Sequence, residues 1–165
     1  MCNGEAARIT SGYRAFTDKK NANLIEEKEH PMLGEKIGEE TGKVTVQRAL
    51  ASAGGGPRME TTFRASGSIL GVGHKTTGTY TAEMHPDGTL YGEGQGIVMN
   101  SEGGGATWVG SGVGTIRKDG SVSYRGAIYY QTSAAKWMRL NGVAAVFEYE
   151  VDPQGNARSQ MWEWK

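Results

Sequence analysis

Gly92-Glu93-Gly94-Gln95-Gly96 and Gly110-Ser111-Gly112-Val113-Gly114 each put glycine at every second residue, between apolar and aromatic side chains. Alternate residues of a β-strand share a face, so each run has one face without side chains. Glycine inside a strand weakens it and marks a tight bend, a bulge or a close approach. Two such runs in succession predict a sheet that curls tightly there or leaves a space.

Outward from these runs, alternating stretches broken by turn residues extend from Lys43 to the end of the sequence. They predict about eight strands: Lys43 to Ala51, Met59 to Leu70, His74 to Met84, Leu90 to Met99, Ala106 to Arg117, Val122 to Thr132, Lys136 to Val151 and Ala157 to Trp164. Pro86-Asp87-Gly88, Lys118-Asp119-Gly120 and Asp152-Pro153-Gln154-Gly155-Asn156 read as hairpin turns, because glycine accepts a positive φ. Sequential strands with short links form an antiparallel meander, and closing it into a barrel removes both exposed edges. The expected fold is therefore all-β, a closed antiparallel barrel of about eight strands over residues 43–165. Residues 1–42 read as a polar extension. A short helix from Asp18 to Glu29 is predicted there, with Thr17 as cap and Pro31 beyond its end. Gly34 to Gly42 reads as a loop.

Composition narrows the function classes. The chain has 165 residues, one domain's worth, and its 18 Lys and Arg balance 18 Asp and Glu. A net charge of zero offers nothing to nucleic acid or an anionic membrane surface. Cys2 is the lone cysteine and cannot form an internal disulfide. No apolar run approaches the ~18 residues of a membrane span, and no signal-like apolar region opens the chain, so a cytoplasmic location is expected. Phosphate-loop, dinucleotide and nucleophile-elbow motifs are absent. His30, His74 and His85 lack metal-ligand spacing, and no cofactor or metal is expected.

Alternation assigns the faces. Met59, Thr61, Phe63, Ala65 and Ile69 point inward on the second strand, and Gly78, Tyr80, Ala82 and Met84 on the third. Leu90, Gly92, Gly94, Gly96 and Val98 follow on the fourth; Trp108, Gly110, Gly112, Gly114 and Ile116 on the fifth. Val122, Tyr124, Gly126, Ile128 and Tyr130 face in from the sixth. On the seventh, Met138, Leu140, Val143, Ala145, Phe147 and Tyr149 all face in if Asn141-Gly142 is a bulge. Opposing aromatics then either fill the space above the glycines or rim a pocket, and a pocket is the preferred reading. Its lining would be Phe63, Tyr80, Gly92, Gly94, Trp108, Gly110, Gly112, Tyr124, Ile128, Tyr130 and Phe147, which suits a small apolar or aromatic ligand.

Among polar residues, His74 shares parity with Tyr80 and could serve as a general acid or base at a barrel mouth. Tyr80, Tyr124 and Tyr130 are the other proton-transfer candidates. Arg48 falls on the apolar parity of the first strand, where it would pair with an inward carboxylate, bind an anionic ligand group or snorkel outward. Glu93 falls outside. Arg125, Arg139, Glu148 and Glu150 look like outer cross-strand partners. Trp162 and Trp164 suit closure packing or a subunit contact.

With the glycine runs, the hairpins and the strand order in place, the block from Lys43 to Lys165 resembles the allene oxide cyclase-like barrels. That group takes in plant allene oxide cyclases, dirigent proteins and small uncharacterised bacterial barrels, including environmental gene-cassette products. The resemblance rests on Tyr91 to Gly96 and Gly110 to Gly114 and is closest to the bacterial group. It implies a cavity for a hydrophobic small molecule, in some members with cyclase or coupling-guide activity, and frequent assembly into homo-oligomers. No catalytic residue is carried over. A lipocalin would place Gly-x-Trp on the first strand, which has neither. Three functions follow as expectations: small-molecule binding, a cofactor-free isomerase or cyclase in the same cavity, or a solid barrel acting through an outer strip such as Tyr91, Ile97 and Met99.

Overall fold

Residues 33–52 and 56–165 are described by the computed structural model. Eight strands run β1 (Leu33–Leu50), β2 (Arg58–Ile69), β3 (Val72–Met84), β4 (Leu90–Asn100), β5 (Gly105–Ile116), β6 (Val122–Thr132), β7 (Ala145–Val151) and β8 (Asn156–Trp164). Each pairs antiparallel with the next, and β8 returns to β1, so the sheet closes in sequence order. Every strand therefore has a hydrogen-bonded neighbour on each side over at least part of its length.

Local chemistry sets this topology. Four hairpins share one hydrogen-bond pattern, a backbone pair closing a three-residue loop with glycine at positive φ: Gly88, Gly103, Gly120 and Gly155. A type I turn ending in a left-handed residue is the three-residue solution that keeps the strands' twist. In two of them, Asp87 and Asp119 each accept hydrogen bonds from the backbone and hydroxyl two residues on, at Thr89 and Ser121. Those bonds hold both exposed carboxyls below the usual aspartate range. The β2–β3 turn is tighter, with Leu70 at φ 50° and Gly71 at φ 75°. The Leu70 N–H is tied to the Ile37 carbonyl at 2.8 Å, which holds a bulky residue in that uncommon region.

Three expectations need correction. First, Gly34 to Gly42 is strand, the first half of an 18-residue β1 that pairs with both β8 and β2. Ile37 is its one large apolar side chain, yet from Gly38 to Gly42 the backbone is paired on both sides, so hydrogen bonding overrides composition. Second, a bulge between Val44 and Val46 inverts the faces beyond it. Arg48 therefore lies outside and pairs with Glu60 at 2.8 Å rather than facing the interior. Third, the seventh strand does not begin at Lys136. Ala135–Gly142 is a 3₁₀ segment, with Trp137 and Leu140 fully buried and Met138 exposed, and no bulge at Asn141-Gly142 carries a strand. The predicted helix from Asp18 to Glu29 lies outside the described residues.

The interior has two apolar layers. One end holds Ile37, Ile69, Val98, Tyr130, Ala145 and Met161, and Trp137 and Leu140 of the 3₁₀ segment plug it. The Trp137 indole N–H donates to the Ile69 carbonyl at 3.1 Å. The other end holds Leu90, Tyr124, Tyr149 and Ala157, flanked by Tyr80, Met84, Val122 and Val151.

Candidate functional site

The glycine runs of β4 and β5 face inward, in register with each other: Gly92 pairs with Gly112 and Gly94 with Gly110. Aromatic rings cover part of the bare surface. A Cβ at Gly78 or Gly96 would strike the Trp108 ring at 2.6 or 2.5 Å, and one at Gly114 would strike the Tyr124 ring at 2.5 Å. Over Gly92 the space is open, with the nearest atom, on the Tyr124 ring, 3.4 Å from an added Cβ. A cavity of about 80 Å³ lies between the two core layers, against Gly92, Gly94, Gly110 and Gly112. That is room for several waters or one small molecule. Filling and rimming thus coexist: rings occupy the space over some glycines and leave it over others.

The structure brings the eleven expected lining residues together. The four glycines form one wall; Phe63, Tyr80, Trp108, Tyr124 and Phe147 supply rings, and Ile128 and Tyr130 complete the set. The rings pack tilted or edge to face, with Phe63 and Tyr149 centroids 5.4 Å apart and Tyr80 lying 5.8 Å from both Tyr124 and Tyr149. Such geometry sets the positive edge of one ring against the negative face of the next. Burial pushes the hydroxyl pKa values of Tyr80, Tyr124, Tyr130 and Tyr149 above the ordinary tyrosine value. None of these rings is a ready base near neutral pH.

The polar end of the cavity comes from β1, β3, β7 and β8. Glu40, Thr76, Tyr149 and Ser159 line it. Register explains their proximity: Glu40 pairs with Gly67 on one side and Ser159 on the other, Gly67 pairs with His74, and Ser159 with Tyr149. His74 does not line the cavity. Its side chain is wholly buried behind Glu40, with Nε2 3.1 Å from Glu40 Oε2 and its ring edge-on to Trp137. The Tyr130 hydroxyl donates to Met161 Sδ at 2.9 Å. Among the described residues, three buried side-chain polar atoms have no hydrogen-bond partner: His74 Nδ1, Thr76 Oγ1 and Tyr149 Oη. Tyr149 Oη approaches Tyr80 without reaching hydrogen-bond geometry.

Glu40 is absent from the expected lining because its segment, Gly34 to Gly42, reads as a loop in the sequence. A signal was present: Gly38 and Gly42 flank it at two residues on either side, the same alternation as in β4 and β5. Thr76, Tyr149 and Ser159 were not expected as lining residues either.

Outside the barrel, Arg125 pairs with Glu148 at 2.8 Å and Arg117 with Glu150 at 2.6 Å. Arg139, on the 3₁₀ segment, reaches Glu35 and Glu163. Glu93 also borders the cavity, while its carboxylate accepts from the exposed Tyr91 hydroxyl at 2.8 Å. Trp162 is half-buried and Trp164 exposed. Among the described residues, no three of His, Cys, Asp and Glu cluster as a metal site would require, and no helix is long and apolar enough to cross a membrane.

No protein-family model matches the chain, and no curated protein matches its sequence. Solved structures do match its fold. A protein of unknown function from Clostridium acetobutylicum superposes with a TM-score of 0.69 at 15% identity, over 79% of this chain and 98% of its own. A conserved protein of unknown function from Rhodopseudomonas palustris gives 0.69 at 11% identity, over 81% and 98%. A β-barrel-like protein from Acinetobacter baumannii gives 0.68 at 11%, over 79% and 94%. An enzyme from Penicillium herquei superposes less well, at 0.55 and 15% identity, over 81% and 97%. What the chain shares with these proteins is its architecture, a small closed β-barrel.

Proposed function

We propose that the barrel binds a small apolar or aromatic molecule in its interior. The observation that carries this reading is the cavity against the bare faces of β4 and β5, walled by the rings of Phe63, Tyr80, Trp108 and Tyr124. A concave, mostly apolar space with a few polar groups at one end is the usual form of a small-molecule site. The resemblance of Tyr91 to Gly96 and Gly110 to Gly114 to the allene oxide cyclase-like barrels points the same way.

Thermal melting with single-ring probes such as toluene and benzyl alcohol tests it, beside native mass spectrometry of freshly purified protein. A ligand that binds only the folded chain raises the melting temperature with concentration. That rise is expected for the native protein and should vanish in Gly92→Leu, whose side chain would occupy the cavity. Probes that leave melting unchanged, or a shift that survives Gly92→Leu, would overturn the reading.

A cofactor-free isomerase using the same cavity is the second reading, favoured by the buried Glu40–His74 pair beside the ligand space. Product analysis after incubation with whatever molecule co-purifies separates binding from turnover.

A further inference from the structure

Glu40 is a carboxylate facing an otherwise largely aromatic cavity, with a side chain only 10% exposed. An ionised carboxylate in such surroundings is costly unless it is paired and hydrogen-bonded. The only hydrogen-bond partner described for its side chain is His74, and the hydrogen bonding of His74 limits what that ring can supply. A protonated imidazole donates from both nitrogens. Here Nε2 meets Glu40 Oε2, but Nδ1 is buried without a partner. A cationic N–H without an acceptor costs more than an unfilled lone pair. The tautomer that fits is the neutral one, with its proton on Nε2, donating to Glu40 and leaving the carboxylate's charge uncompensated.

Among the described residues, no lysine or arginine lines the cavity. Glu40 Oε1 has no hydrogen bond among the described residues. Thr76 Oγ1 and Tyr149 Oη border the same space, are buried and have no partner. A carboxylate oxygen and two hydroxyl oxygens are three acceptors, and a primary ammonium carries three N–H donors. The rings beyond them, Phe63, Tyr80, Trp108 and Tyr124, present surfaces that attract a cation as well as an apolar body.

We propose that the barrel's ligand is a primary amine on a small aromatic or cyclic apolar body, its ammonium seated on Glu40 with Thr76 and Tyr149 as the further acceptors. The proposal rests on the reading of the barrel as a small-molecule binder and names the ligand class of that site. His74 is a positioning residue: it holds Oε2 and turns Oε1 to the cavity.

The test compares benzylamine with its neutral near-isostere benzyl alcohol and with toluene, by calorimetric titration of the full chain at neutral pH. Benzylamine is expected to bind at least about tenfold more tightly than benzyl alcohol, the scale of one hydrogen bond to a charged group. Glu40→Gln keeps the shape and an acceptor for His74 while removing the charge, and should bring the two affinities level. Tyr149→Phe offers a second variant if Glu40→Gln does not fold. It should weaken benzylamine severalfold and leave toluene unchanged. Benzyl alcohol binding as tightly as benzylamine to the native protein would overturn the amine proposal and leave the cavity reading intact. An amine preference that survives Glu40→Gln would do the same. Failure of all three probes to bind would overturn both.

Discussion

A Cβ added at Gly67 on β2 would collide with the backbone of β1 at Glu39 and Glu40, whereas one added at Gly92 on β4 would come no closer than 3.4 Å, to the ring of Tyr124. Both glycines sit on inward faces. At Gly67 the missing side chain lets two strands cross at close quarters, which brings Glu40 and His74 together. At Gly92 it leaves volume, part of which is the cavity. Glycine in a strand thus serves close crossing at Gly67 on the β2 wall and open space at Gly92 on the β4 wall. The polar end draws on β1, β3, β7 and β8, and Gly92 on β4 lies against the room.

The largest effect should come from breaking the first kind of glycine. Gly67→Val forces the β1 backbone away, and overpacking against main chain that cannot rotate aside should cost about 3 kcal/mol or more. Urea unfolding reads it; a loss under about 1 kcal/mol would mean that β1 and β2 separate easily and that Gly67 is not a close-approach site.

The next effect probes the rings packed over the second kind. Burial holds the hydroxyls of Tyr124, Tyr130 and Tyr149 above the ordinary pKa of about 10. In alkali the unfolded chain loses these protons first, so the native state binds more protons and stability falls as pH rises. The contribution is fully present below about pH 10 and declines above it, by at most about 1.4 kcal/mol per pH unit for each tyrosine. Ultraviolet titration of phenolate alongside circular dichroism should show these tyrosines ionising together with unfolding. Smooth titration of every tyrosine with the fold intact would contradict their burial.

The smallest effect on stability should come from Gly92→Ala. Its Cβ meets ordinary contacts, and alanine restricts the unfolded chain, so the change should stay within about 1 kcal/mol. The same substitution should weaken ligand-induced stabilisation, because it takes volume from the cavity. A large loss of stability here would place Gly92 with Gly67, and the distinction between the walls would fail.

The parts legible in the sequence were those governed by nearest neighbours. Alternation gave the inward faces of β2 to β6, since side chains on a strand must alternate, and the Asp-Gly turns gave the hairpins. Ten of the eleven expected lining residues followed from that parity, and Phe147 came from the seventh strand. Glu40 did not, because a polar, glycine-rich segment such as Gly34 to Gly42 has no local preference for strand, and its pairing partners lie at the two ends of the barrel sequence. The side on which Arg48 lies stayed open, because a single bulged residue inverts parity without leaving a mark on composition. Trp137 read as part of a strand because apolar spacing in a short run does not separate strand from a tight helical turn.

The sequence by itself determined an all-β meander, its turns and which face of most strands is bare, all consequences of backbone geometry acting over a few residues. Only the tertiary structure decided that β1 closes the barrel from Leu33 onward and that Glu40 meets His74 inside it. It also decided that the glycines divide between close crossing and open space. Those outcomes depend on which distant strands lie side by side, and register between segments far apart in the chain is set by closing the whole sheet.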